Sequence, residues 1–324
     1  MYKMIMIPTD GSGFDREAIL VALRIAERSG AKVRLVRVHC TGALFAKESG
    51  PEAATVSAKV LERERDRILN ELSDLAAECR KASGANIEVS LEDGAVPDAL
   101  HAYAKRNNVD LIVMSSHGRG GIARLSLGSV TDSLIRRTTI PVLVVKPHPS
   151  YVNSQAPEAF KRFVVPLDGS SVAEQILQEV ATLAKVEQSE LTLLRVVVPK
   201  TSSQKAVAGE NTPWWDKDVA AAEAYLFRTA DKLRQDGLRT KTDVVIGENI
   251  ARSIADYAAR ESADLVAIAT HGRGGISRAL RGTVADALIR TSHTSMLVLR
   301  PVGVVDKQVR PKERRLPDGM PVIA

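Results

Sequence analysis

Short apolar runs and amphipathic stretches alternate along the chain. Met4–Pro8 is an apolar run of strand length, too short for a helix. Over residues 15–28, Ala18, Ile19, Ala22, Ile25 and Ala26 share one side of a helix. Residues 33–38 are rich in β-branched side chains and predict a second strand. A long helix follows within 51–81, where Ile68, Leu72, Leu75 and Cys79 recur at steps of four, three and four. The pattern then gives a strand at 87–91, a helix at 96–105 and a strand at 110–114. Pro97 falls in the first turn of that helix, where its missing N–H costs nothing. A helix at 125–138 and a strand at Val142–Val145 end the series.

The series then starts again. Strands are predicted at 163–166, 191–198, 242–246, Leu265–Ala269 and 296–299. Between the second and third of these, Val219, Ala222, Leu226, Thr229 and Leu233 recur at helical spacing. The residues themselves repeat as well. Ser116-His117-Gly118-Arg119-Gly120-Gly121-Ile122 returns 154 positions later as Thr270-His271-Gly272-Arg273-Gly274-Gly275-Ile276. The same offset carries Gly128-Ser129 to Gly282-Thr283 and Asp132 to Asp286. Near the front, Pro8-Thr9-Asp10-Gly11-Ser12 returns as Pro166-Leu167-Asp168-Gly169-Ser170 at an offset of 158. So long a period is a duplicated domain rather than a solenoid repeat. We expect domains at 1–147 and 161–301, a proline-rich linker at 148–160, and a basic extended tail at 302–324.

Strands alternating with helices specify a parallel sheet with right-handed crossovers. The expected fold class is therefore α/β: two tandem doubly wound domains of five parallel strands each, Rossmann-like. Aromatic residues are only 4% of the chain, so Val, Ile, Leu and Ala must supply the core. That composition suits strands covered on both faces. It disfavours single-stranded nucleic acid, which is held on aromatic platforms. The net charge of +6 is largely spread among acidic neighbours on helix surfaces, as in Glu62-Arg63-Glu64-Arg65-Asp66-Arg67. Two cysteines, Cys40 and Cys79, make neither a disulfide scaffold nor a cysteine-built zinc site. With no signal peptide and no membrane-length apolar stretch, a cytoplasmic location is expected.

On this frame Asp10 and Asp168 close the first strand of each half, and the His-Gly-Arg-Gly-Gly loops close the fourth. Both ends lie where doubly wound sheets gather ligands. Gly128-Ser129 and Gly282-Thr283 open the next helix, whose free N–H groups and partial positive charge attract phosphate. The two aspartates are placed to accept hydrogen bonds from ribose hydroxyls. The bland reading of Asp-Gly-Ser is a helix-capping turn, and one turn can cap and bind together. No Gly-x-x-x-x-Gly-Lys-Ser/Thr occurs, so the chain has no P-loop. His117 and His271 lack a second ligand at metal spacing and are read as loop-shaping or phosphate-adjacent. Arg119 and Arg273 either approach phosphate or face solvent.

These residues resemble the universal stress protein family. Its ATP-binding branch carries Gly-x-x-Gly, nine residues, then Gly-Ser/Thr. Gly118 with Gly128-Ser129, and Gly272 with Gly282-Thr283, fit that spacing, with Gly121 and Gly275 inside the loops. Ser115 and Ala269 stand where the first family glycine would be, and their Cβ atoms bear on how closely phosphates approach. The resemblance implies the adenine nucleotide alpha-hydrolase-like version of the fold, with ATP as ligand, with or without magnesium. It makes Asp10 and Asp168 ribose contacts and puts the backbone at Val38 and Val196 against the adenine. It implies that the fifth strands, 141–145 and 295–299, pair within the chain. It also implies that two tandem chains associate as a homodimer.

Three functions compete at this point. The first is an ATP-binding stress-response module that signals through conformation or partner choice. The second is a slow ATPase, although no cluster of metal-holding carboxylates accompanies Asp10 and Asp168. The third is a nucleotide-free interaction protein whose loops are only structural.

Overall fold

The computed structural model of the chain describes residues 1–13, 15–40, 51–116, 127–146, 159–199, 214–270 and 283–301. The first half runs β1 (Met4–Pro8), α1 (Arg16–Ser29), β2 (Lys32–His39), α2 (Pro51–Ala82), β3 (Asn86–Asp93), α3 (Val96–Arg106), β4 (Leu111–Ser115), α4 (Ser129–Arg137) and β5 (Val142–Val145). The second half runs β6 (Arg162–Pro166), α5 (Ser171–Glu174), α6 (Ile176–Glu187), β7 (Glu190–Val197), α7 (Trp214–Gln235), β8 (Arg239–Ile246), α8 (Ile250–Arg260), β9 (Leu265–Ala269), α9 (Thr283–Thr291) and β10 (Ser295–Leu299). The predicted linker is outside the described residues except for its last two, and the tail is wholly outside them.

One boundary differs in a way that matters. The helix expected over 125–138 begins only at Ser129, because Gly128 takes an extended backbone as its N-cap (φ −60°, ψ 144°). Residues 127–128 therefore lead into the helix rather than belonging to it.

All ten strands form one sheet, in the order β3-β2-β1-β4-β5-β10-β9-β6-β7-β8. Within each half every pairing is parallel. The halves join through β5 and β10, which pair antiparallel, with Leu143 opposite Leu297. The five strands of each half thus join in one continuous sheet, and the fifth strands, expected to pair within the chain, are its seam. The pairing covers two apolar edges that would otherwise present open backbone groups.

The strands alternate faces with the period of two that a pleated sheet requires. Ile5, Ile7, Leu35, Leu111 and Val113 face one core, together with Ile25 of α1, Leu72 of α2, Leu183 of α6 and Leu226 of α7. Met6, Val36, Ile112 and Met114 face the other, with Leu100 of α3, Leu134 of α4, Ile254 of α8 and Leu288 of α9. Helices thus cover both faces in both halves. No helix among the described residues is long and apolar enough to cross a membrane.

Charged groups fasten the seam on either side. Arg136 of α4 reaches Asp286 of α9 at 3.5 Å, and Arg290 of α9 reaches Asp132 of α4 at 3.6 Å. Beyond the strands, Lys146 Nζ donates to the Ile289 carbonyl near the end of α9, and Arg300 Nη1 donates to the Arg136 carbonyl near the end of α4. Each half thereby places a cation at the negative end of the other half's helix. Burial holds the Lys146 ammonium below the ordinary lysine range. On the opposite face, Glu187 of α6 is fully buried and accepts from Arg24 Nε at 3.2 Å and Arg28 Nη1 at 3.1 Å, both on α1. The Arg24 guanidinium also lies 5.0 Å from the Phe160 ring centroid.

Glu187 is the charge whose loss is felt most, since it is buried and has two partners in the other half. Glu187→Gln leaves Arg24, which is 10% exposed, facing a neutral group. The expected cost is about 3 kcal/mol, read as a lowered urea midpoint at unchanged slope. Glu179 behaves differently. Burial first, then the Asp110 carboxylate, push it above the usual glutamate range, with the N-terminal ammonium opposing. A raised folded-state value gives stability that is present below the unfolded value and lost as pH rises through the folded one. Glu179→Gln should therefore melt higher than the parent at pH 7, with the gain gone below about pH 4.

Candidate functional site

In each half the chain leaves its first strand toward one side of the sheet and returns to the fourth strand on the other. The switch point is therefore the β1–β4 pair in the first half and the β6–β9 pair in the second. In doubly wound sheets the crevice beyond the carboxyl ends of such strands is where ligands gather. Asp10 stands two residues past β1, and Asp168 two past β6. Ser115 and Ala269 are the last residues of β4 and β9.

The Asp-Gly-Ser segments fold into the same turn twice. Asp10 Oδ1 accepts the Ser12 N–H at 2.8 Å, and Asp168 Oδ1 accepts the Ser170 N–H at 2.9 Å. The central glycines adopt positive φ, 72° at Gly11 and 81° at Gly169, where a side chain is strained. The turns differ in their serines. Ser170 Oγ donates to Asp168 Oδ1 at 2.6 Å and accepts from the Ala173 N–H at 3.1 Å, so it caps α5. Ser12 Oγ is buried and has no hydrogen-bond partner among the described residues. An orphaned hydroxyl beside Asp10 suits a ligand that brings its own polar atoms.

The phosphate end is built by the β4–α4 connection. Ser116 is fully buried; its N–H donates to the Val145 carbonyl at 3.1 Å and its carbonyl accepts from Gly128 at 2.9 Å. Thr131 Oγ1 donates to the Ser115 carbonyl at 3.3 Å. These bonds hold the end of β4 against the start of α4 at the switch point. The first intrahelical bond of α4 is donated by Asp132 to Gly128. The N–H groups of Ser129, Val130 and Thr131 have no carbonyl within the helix to bind. In α5 and α8 a side-chain oxygen, from Ser170 or Asn249, occupies that place. Gly128 has none to offer, and a helix N-terminus of that kind attracts anions. Thr283 opens α9 in the same position.

Val38 and Val196 are the next-to-last residues of β2 and the corresponding part of β7, partly buried against the α3 and α8 side. Asp10, Val38, Ser115, Gly128 and Ser129 thus all lie at the carboxyl edge of one half, and Asp168, Val196, Ala269 and Thr283 at that of the other. His117, Gly118, Arg119, Gly121, His271, Gly272, Arg273, Gly275 and Gly282 lie outside the described residues. Among the described residues no group of three His, Cys, Asp or Glu side chains is placed to hold a metal ion.

Two residues of the site were not anticipated. Arg37 of β2 and Arg195 of β7 each extend over the Asp-Gly turn of their half. Arg37 Nη1 pairs with Glu71 at 2.8 Å, and a Cβ on Gly11 would lie 2.9 Å from that same nitrogen. Arg195 Nη1 donates to the Leu167 carbonyl at 3.2 Å. The signal was present in the sequence: the offset of 158 that relates the aspartates also relates Arg37-Val38 to Arg195-Val196.

Known proteins match this architecture. The model of the universal stress protein family matches residues 1–146 and again 159–300. A universal stress protein of Methanocaldococcus jannaschii is 32% identical over 146 residues, 45% of this chain and 83% of that one. One from Mycobacterium tuberculosis is 30% identical over 202 residues, covering 60% of this chain and 63% of its own length. One from Mycolicibacterium smegmatis is 24% identical over 302 residues, 92% of this chain and 97% of that one. Among solved structures, a universal stress protein from Archaeoglobus fulgidus superposes with a TM-score of 0.66 at 18% identity, covering 92% of this chain and 98% of its own. That likeness is one of fold.

The paired turns allow an internal comparison. Gly11→Ala and Gly169→Ala should each cost about 1 kcal/mol through the positive φ alone. Only Gly11→Ala also meets an arginine, since the nearest atom to a Cβ on Gly169 is Arg195 Nη1 at 3.8 Å. In double-mutant cycles of urea unfolding, Arg37→Ala should therefore cost less in the Gly11→Ala background than alone. Arg195→Ala should cost the same with or without Gly169→Ala.

Proposed function

The chain belongs to the universal stress protein family, with one family domain in each half, and on that premise we propose that each half binds ATP and that the protein is a nucleotide-dependent stress-response module. One observation carries this reading. In each half an Asx-turn aspartate follows the first strand and the N-terminus of α4 or α9 follows the fourth, at the same switch point, and in the first half the helix's N-cap is a glycine. An aspartate there accepts from ribose hydroxyls, and the open N–H groups of α4 and α9 hold phosphate oxygens. Backbone groups at Val38 and Val196 meet the base. The buried Ser12 hydroxyl finds in the ligand the partner it lacks among the described residues. Magnesium, when present, is carried by the phosphates and neutralises part of their charge.

These parts bind and orient a nucleotide, and the reading is one of occupancy rather than turnover. Ligand-dependent change at the crevice is the signal, passed to partners in the cytoplasm, with two tandem chains associating as a homodimer.

Calorimetric titration of the purified chain with ATP tests the reading. Saturable binding is expected in the micromolar to millimolar range. Asp10→Ala combined with Asp168→Ala should weaken it by about tenfold or more, the worth of a lost hydrogen bond to a charged group at each ribose. Gly128→Val, whose φ of −60° any residue can adopt, should keep the fold and weaken the first half alone. Absence of binding at millimolar ATP would sink the proposal.

A further inference from the structure

The four helices on one face of the sheet, α1 and α2 in the first half and α6 and α7 in the second, can be matched residue by residue. Gly30 ends α1 and Gln188 ends α6 with a left-handed cap, at φ 71° and 55°, so the offset of 158 holds through these helices. For α2 and α7 the offset is 154, which matches buried Leu72 with Leu226 and buried Ala76 with Ala230. Arg80 and Arg234 agree with that match: one donates to the Ile87 carbonyl and the other to the Thr240 carbonyl, each at the second residue of the next strand.

Four matched positions between these helix pairs differ together. Leu23 is matched by Ala181 and Leu75 by Thr229, so the second half lacks two large apolar side chains. Glu27 is matched by Lys185 and Glu78 by Lys232, so two acids give way to two bases.

In the first half the space between the helices is filled and bridged. Leu23 is buried and Leu75 packs on the same core. The Glu27 carboxylate accepts the Gly84 N–H, two residues past α2, at 2.9 Å. A lysine at 185 has no acceptor to make that bridge. In the second half a cleft of about 900 Å³ runs along α6 and α7, with Leu177, Ala181 and Leu233 in its lining. Its acids are Asp236 and Glu174, and Glu174 accepts from the Tyr225 hydroxyl at 2.8 Å. Its side-chain cations are Arg28, which is paired with Glu187, and the two lysines. Neither Lys185 nor Lys232 has a hydrogen bond or ion pair among the described residues. A cation in a last turn complements the helix dipole. α1 and α2 obtain that from Arg28 and Arg80 while carrying glutamate at 27 and 78. The reversal therefore changes what the cleft offers a ligand rather than how the helices end.

We infer that this cleft is a second ligand site, specific to one half, for an anion with an apolar body: a medium-chain carboxylate, with its chain along Leu177, Ala181 and Leu233 and its head at Lys185 and Lys232. Leu177 and Lys185 stand eight residues apart on α6, roughly 12 Å along the helix axis, which sets the length of the chain. Covering the apolar lining supplies the affinity, and two unpaired ammonium groups select the head. The last turns of α6 and α7 lead into the starts of β7 and β8, at the end of the sheet away from Asp168. The site is therefore separate from the nucleotide reading and does not rest on it.

Calorimetry of the full-length chain with decanoate, kept below its micelle concentration, tests the assignment. Saturable binding at one site per chain is expected. Ala181→Leu combined with Thr229→Leu installs the first half's residues and should abolish binding, while the urea midpoint stays at or above the parent's as the cleft fills. Lys185→Glu combined with Lys232→Glu should weaken binding by about tenfold or more. Both lysines are exposed, so this chain tests the head without disturbing the packing. Decylammonium has the same chain and the opposite charge, and should not bind. Absence of decanoate binding at millimolar concentration, equal binding of decylammonium, or decanoate binding that survives either double substitution overturns the inference. An unliganded chain that sediments as a dimer, and is split by the two leucines, makes the cleft a contact between copies and overturns it as well.

Discussion

The antiparallel pairing of β5 with β10 is the constraint from which the rest of the architecture follows. A five-stranded doubly wound sheet ends in an apolar edge strand, and Val142–Val145 and Ser295–Leu299 are buried along their whole length. Left open, either edge invites pairing with another chain. Joining them in one polypeptide makes the pairing intramolecular, at an effective concentration that a separate partner rarely matches. Antiparallel pairing of equivalent strands also imposes approximate two-fold symmetry. The reciprocal contacts of Arg136 with Asp286 and of Arg290 with Asp132 are that symmetry expressed in side chains.

The seam also reaches the crevices. α4 begins beside Ser116, and near its other end the Arg136 carbonyl accepts from Arg300, which follows β10. α9 is treated alike by Lys146, which follows β5. Each phosphate-end helix is therefore held at its far end by the opposite half. The helices have only nine residues, so little slack separates the crevice from the seam. The Glu187 clamp breaks the symmetry, because its arginines lie on α1 and Ser29 occupies the matching place in the first half. It fixes the helices of one face, leaving the α4–α9 face to the more exposed, weaker pairs.

Much of this was legible in the sequence, because period and repetition are local signals. The ten strands were found from apolar runs, and the seam from the apolar fifth strands taken with the family resemblance. The Asp-Gly-Ser turns were legible because an aspartate two residues before an N–H and a glycine at positive φ form a device of three residues. What escaped depends on contacts across the fold. Arg37 looks like any strand arginine until Gly11 is seen beneath it. Glu187 looks like a surface glutamate at a helix end until α1 of the other half is packed on it. The start of α4 was misplaced because the apolar pattern runs through Leu127, whereas Gly128 ends the extended segment.

Duplication explains which features agree between the halves and which do not. Turn geometry, strand register and the glycine positions are set by backbone conformation, and a change there strains the chain whatever is bound. Side chains at the strand ends carry no such penalty, so they are free to diverge. At the ends of β2 and β3 stand His39, Glu92 and Asp93, where β7 and β8 carry Val197, Val245 and Ile246. The paired charges of the first half satisfy one another, whereas Ile246 in the second leaves apolar area in water that folding alone did not remove.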